Sequence, residues 1–149
     1  MIDFDIVSEI KCQYNLDLIK KVVTIFGDNY QSVQGKFFTL VFTGGRNIKK
    51  LNSVYRGKNK VTDVLSFASR DSLEPFPDDE NDLGEIIICW PEAKRQAKKY
   101  GWKIDYEIIR LLIHGLAHLV GYDHENVSQK KAKEMEKFEN KIITTVFKN

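Results

Sequence analysis

The chain has three histidines, and all of them fall in one short segment, His114-Gly-Leu-Ala-His118-Leu-Val-Gly121-Tyr-Asp-His124. His114 and His118 stand four apart in a stretch, Ile108 to Val120, whose apolar residues recur at helical spacing, so both imidazoles project from one helix face. Gly121 follows the last periodic residue and suits the left-handed cap, where a β-carbon is costly. The reversal it permits brings His124 back toward the same point. Three neutral imidazoles then converge at the end of a helix.

Nitrogen donors at this density suit Zn2+, with nickel or copper as first-row neighbours. Three protein ligands with a fourth position open to water describe a catalytic site rather than a structural one. A closed structural cage needs a fourth ligand, yet Cys12 and Cys89 are the only thiols, both distant in sequence, and no Cys-x-x-Cys pair exists. The spacing His-x-x-x-His-x-x-Gly-x-x-His is shared with metalloproteases that carry a glutamate base directly after the first histidine. Gly115 occupies that position here and cannot carry a proton, which argues against peptide hydrolysis. Asp123 and Glu125 flank the third histidine, and Asp123 is a candidate base or a hydrogen-bond partner for a ligand imidazole.

A second constellation lies upstream, where Tyr55-Arg56-Gly57-Lys58 leads into Thr62-Asp63-Val64-Leu65-Ser66-Phe67. Arg56 offers a planar, permanently charged fork that matches two phosphate oxygens, and Gly57 lets backbone approach a ligand closely. Lys58 adds a point charge, and Tyr55 is a candidate for stacking on a flat ligand group, as is Tyr122. For Phe67, core packing is the expected role. A formal net charge of +2 does not by itself imply a nucleic-acid partner, so the argument rests on distribution. Arg56, Lys58 and Lys60 crowd one loop, Lys94, Arg95, Lys98, Lys99 and Lys103 crowd another segment, and Asp78, Asp79, Glu80 and Asp82 form an acidic stretch. The Lys94 to Lys103 run reads as a solvated helix face.

The elements that must position these residues can be read from periodicity. At 149 residues the chain fits one domain, 1–149, with a single core and no repeats. Ile2 to Val7 alternates as a strand, and Leu18, Ile19, Val22, Val23 and Phe26 form a helical stripe expected to end before Gly27. Lys36 to Thr43 reads as a strand, closed by Gly44-Gly45 and followed by a helix from about Asn47 to Tyr55. Val64–Phe67 and Glu85–Cys89 read as buried strands flanking a long acidic loop, Arg70 to Leu83. Pro91 marks the first turn of a helix reaching Tyr100, the histidine helix starts near Asp105, and Ser128 caps a last helix. That helix turns Ala132, Met135, Phe138 and Ile142 to the core, with its lysines and glutamates outward. This order predicts an α/β (α+β) domain with a small four-stranded mixed sheet covered by about five helices, and a metal site at a helix end. No apolar run is long enough to span a bilayer, so no membrane partner is expected. The acidic, alternating N-terminus lacks a secretory pattern, and the two lone cysteines fit a reducing compartment, which points to the cytoplasm.

Three segments together resemble the YbeY family of bacterial metal-dependent endoribonucleases, also described as ribosomal RNA maturation factors. They are Tyr55-Arg56-Gly57-Lys58 through Thr62-Asp63-Val64-Leu65-Ser66-Phe67, Leu83-Gly84-Glu85-Ile86-Ile87-Ile88-Cys89, and His114-Gly115-x-x-His118-Leu119-x-Gly121-Tyr122-Asp123-His124. The resemblance implies helices around a four-stranded mixed sheet, a zinc held by His114, His118 and His124, and Arg56 as the catalytically important basic residue. It implies action on single-stranded RNA in maturation of the 3′ end of 16S rRNA and in ribosome quality control, with small ribosomal subunit proteins and the GTPase Era as partners. The chain departs from the family pattern at Ala117, at Gly44-Gly45-Arg46 and at Trp90. Two competing readings are a zinc-braced RNA-binding or ribosome-assembly factor without turnover, and a metal hydrolase acting on another bond.

Overall fold

The computed structural model describes residues 1–71, 81–121 and 128–148. Alternating Phe4 and Ile6 form β1 (Asp3–Ser8), followed by α1 (Leu16–Asn29), whose N-cap Asn15 accepts the Leu18 N–H at 3.0 Å. The helix does not stop before Gly27. Gly27 is buried inside it against Ile2, and the apolar stripe continues to Tyr30, which stacks on Phe26. The β-branched and aromatic run Phe37–Thr43 forms β2, and α2 (Gly45–Arg56) begins two residues earlier than the periodicity suggested, with Gly44 as its N-cap.

Strands β3 (Val64–Ala68) and β4 (Asp82–Cys89) lead into α3 (Trp90–Tyr100), with Pro91 in its first turn. The histidine helix α4 spans Ile104–Leu119, and α5 (Gln129–Phe147) starts at Ser128, whose hydroxyl accepts the Lys131 N–H. Short 3-10 turns cover Gln31–Val33 and Ser69–Asp71. The sheet order is β1-β2-β4-β3, with β1, β2 and β4 parallel and β3 antiparallel to β4. The described residues therefore form the expected mixed four-stranded sheet with five α-helices. No described helix is long and apolar enough to cross a membrane.

Alternation along β2 and β4 divides the core. Phe38, Leu40, Phe42, Ile86 and Ile88 enter one large cluster with α1, α4 and α5, while Val41, Ile87 and Cys89 join Ile48 and Leu65 in a small one on the opposite face. Cys89 is fully buried in the core, and burial pushes its thiol pKa up. Ile86 to Cys89 of β4 are thus buried on both faces, whereas Glu85 is exposed and β3 is an edge strand.

Candidate functional site

Helix α4 crosses the large-cluster face of the sheet, packing on β3 and β4. Gly115, between its two histidines, sits directly over Ile86: a Cβ there would lie 2.6 Å from Ile86 Cγ2. The position where a metalloprotease carries its glutamate is therefore occupied by the sheet, and no carboxylate fits. Glycine at 115 lets the histidine turn seat close on β4.

His114 and His118 face the same side of α4, as their spacing requires, with ring centroids 4.8 Å apart at an interplanar angle of 81°. His114 Nδ1 lies 2.8 Å from Glu139 Oε1 on α5. A carboxylate at that distance accepts a hydrogen bond from Nδ1–H, which favours the tautomer with its lone pair on Nε2. A carboxylate behind an imidazole is a common partner of metal-ligating histidines, and two imidazole nitrogens are donors of the kind a first-row cation accepts. The helix then ends as anticipated: Val120 is the C-cap, Gly121 has φ 109°, and its N–H donates to the His118 carbonyl at 3.1 Å. His124, Asp123 and Tyr122 lie outside the described residues. Among the described residues no group of three histidine, cysteine, aspartate or glutamate side chains is set to hold a metal.

Glu139 was not anticipated from the sequence, which assigned the glutamates of α5 to solvent. It lies four residues after Met135 and three before Ile142, both fully buried, so it shares their inward stripe. A carboxylate on an apolar stripe is the pattern that would have exposed it.

Arg56 is the last residue of α2, and Gly57 closes the helix in the left-handed conformation at φ 68°. The Cys89 N–H donates to the Asp63 carbonyl, so residues 63, 65 and 67 pair inward with β4 and the Ser66 carbonyl points to the free edge of β3. Arg56 Nη2 donates to that carbonyl at 2.7 Å, and its guanidinium lies 5.2 Å from the Phe67 ring centroid. Ser66 pairs laterally with Ile86, the residue beneath Gly115, so arginine and histidines are tied to neighbouring positions of β3 and β4.

On the small-cluster face, Tyr55, Arg56, Phe67, Asp82 and Glu85 line a groove of about 710 Å³ floored by Leu51 and Ile87. Tyr55 is 64% exposed and meets Phe67 edge-on at 5.4 Å. Phe67 is only partly in the core, packed against the small cluster with one side toward this groove. Lys58 follows the cap, its backbone N–H donating to the Asn52 carbonyl at 3.2 Å.

A family profile described as Endoribonuclease YbeY matches residues 3–146. Relatives called endoribonuclease YbeY include one from Nautilia profundicola, 41% identical over 91% of this chain and 88% of its own length. Another, from Finegoldia magna, is 40% identical over 87% and 76%. One from Thermodesulfovibrio yellowstonii is 46% identical over 72% of this chain, a match spanning 65% of that protein. The solution structure of TM1509 from Thermotoga maritima superposes with a TM-score of 0.62 at 27% identity, covering 99% of this chain and 89% of that one. With a profile match across nearly its whole length and such relatives, the chain belongs to the endoribonuclease YbeY family.

Proposed function

We propose that residues 1–149 act as one metal-dependent endoribonuclease domain that cleaves single-stranded RNA, serving 16S rRNA 3′-end maturation and ribosome quality control in the cytoplasm. The observation that carries this reading is the oriented pair His114 and His118, with Glu139 behind His114, tied through β4 and β3 to the Arg56 edge. His114, His118 and His124 would hold Zn2+, with another first-row metal such as Ni2+ as the alternative. A metal bound there would acidify water and polarise a phosphoryl oxygen.

The chain's own groups do the rest. Glu139 accepts a hydrogen bond from the His114 Nδ1–H and fixes the ring. Arg56 turns a rigid fork, braced on Ser66 and Phe67, to the scissile phosphate and neutralises the charge that grows on its oxygens. Lys58 contacts a neighbouring phosphate, Tyr55 offers a face to a base, and Asp123 orients an imidazole or accepts a proton. Small ribosomal subunit proteins and the GTPase Era are the partners this family membership suggests.

The test is cleavage of a defined single-stranded RNA by metal-loaded protein beside His118→Ala and Arg56→Ala prepared identically. Loss of cleavage in both, with Arg56→Ala still holding its metal, is the expected result. Equal cleavage in all three would mean a contaminating nuclease. No cleavage by any of them, alone or with small ribosomal subunits added, would favour the non-catalytic assembly factor.

A further inference from the structure

From Tyr106 to the end of α4, every residue is buried except Arg110, His114 and His118, with Tyr106 itself half-exposed. These four stand at intervals of four, so a single narrow stripe of the helix stays accessible and the two histidines are its far end. At its near end the stripe runs into a ladder of rings. Tyr100 and Trp102 stack at 5.0 Å and 28°, Trp102 meets Tyr106 at 5.1 Å, and Tyr106 meets Phe147 at 5.2 Å. Tyr100 is 56% exposed and Trp102 38%, which is unusual for a stacked aromatic pair on a face otherwise rich in lysine.

Cations are fitted to these rings. The Lys99 ammonium lies 5.4 Å from the Tyr100 centroid and the Arg110 guanidinium 5.7 Å from that of Trp102. Arg110 is held in place from below by the fully buried Glu107, whose Oε1 accepts from its Nε at 2.7 Å. Lys98 and Lys103 are exposed on either side. A merely solvated basic face needs no ordered stack of rings, and an apolar protein contact would not be studded with positive charge.

We infer that Tyr100, Trp102, Tyr106 and Arg110 form a stacking platform for single-stranded RNA that leads the strand along α4 to the histidines. Bases stack on the exposed rings and the guanidinium plane, while Lys98, Lys99 and Lys103 neutralise the phosphates. Tyr106 and His114 are separated by about 12 Å of helix at the standard rise. That distance matches about three or four stacked nucleotides at 3.4 Å each. The platform thus sets how far from its docked bases a strand is presented to the site. It rests on the RNA reading above for its ligand class, but binding there requires neither metal nor turnover.

The test is fluorescence anisotropy of a labelled short oligouridylate, in chelator so that cleavage cannot contribute. Trp102→Ala and Tyr106→Ala are expected to weaken binding about 5- to 150-fold each, the effect of one lost base-stacking contact, with Trp102→Phe largely restoring it. Replacing Lys98 and Lys99 together by alanine should flatten the log affinity against log salt slope by about 1.4. Tryptophan quenching by the RNA should shrink in Trp102→Phe, because the other tryptophan, Trp90, is packed edge-on against Phe42. Unchanged affinity in both alanine variants, or equal affinity for duplex RNA, would overturn the assignment. The first of those results is what a ladder serving a protein partner would give. A catalytically silent protein that still loses RNA affinity on Trp102→Ala would sink the nuclease reading and leave this one standing.

Discussion

On the sheet face covered by α1, α4 and α5, Phe38, Leu40, Phe42, Ile86 and Ile88 are all fully buried. On the opposite face α2 covers only part of the surface, and the lateral row Asp5, Thr39, Glu85 and Phe67 stays partly or fully open. The same strands supply both faces, so the difference lies in which alternate residue is aliphatic and which is polar. One face buries enough apolar surface to hold the fold, and the other is left uneven enough to form a groove at the β3 edge. The histidines sit at the margin of the closed face, on a helix anchored by burial along nearly its whole length. The arginine sits at the margin of the open one. An anchored histidine pair and an accessible guanidinium are thereby met in one small molecule.

The sharpest way to break this contrast is to truncate adjacent residues of β4. Ile86→Ala, on the closed face, should cost about 2–5 kcal/mol in chemical denaturation. Glu85→Ala, one residue away and exposed, should stay within about 0.5 kcal/mol. Similar losses at both positions would mean that the two faces carry the fold equally. Arg56→Ala should behave in the reverse way. RNA cleavage should fall about 10²- to 10³-fold in kcat, as for loss of one preorganised donor to a developing charge, while denaturation shifts by less than about 1 kcal/mol. A variant that loses stability but keeps its rate would make Arg56 a strut for the β3 edge. Glu139→Gln should weaken metal binding about 10- to 100-fold, measured by competition with a chromogenic chelator, and leave the fold intact. An unchanged affinity would reduce the Glu139 contact to helix packing.

The closed face was far more legible in the sequence than the site at its margin. The period-four spacing of His114 and His118, the cap at Gly121 and the alternation of β4 each arise from residues close in sequence, and each appears where expected. Glu139 meets His114 across 25 positions of sequence, and Ser66 receives Arg56 only because β3 is the edge strand. Neither is a local fact, since both depend on which helix lands beside which strand. The aromatic ladder was half legible. Its lysines were read as a solvated face because Tyr100, Trp102, Tyr106 and Phe147 come from three elements and the loop between two of them.

Two glycines, one serving each face, resist substitution for different reasons. Gly115 has ordinary helical backbone but no room, so Gly115→Ala must displace Ile86 from a fully buried position, at about 1–3 kcal/mol. Gly57 has open space around it but a left-handed backbone at φ 68°, so Gly57→Ala should cost about 1 kcal/mol through conformation alone. A double-mutant cycle separates the two. Ile86→Ala removes the three side-chain carbons that crowd Gly115, so it should recover part of the Gly115→Ala loss and none of the Gly57→Ala loss. Gly57→Asn, in contrast, should be milder than Gly57→Ala, because asparagine tolerates the left-handed region. If Ile86→Ala failed to couple with Gly115→Ala, the close seating of the histidine turn on β4 would not be what requires glycine there. The account of why no glutamate can follow the first histidine would then fail with it.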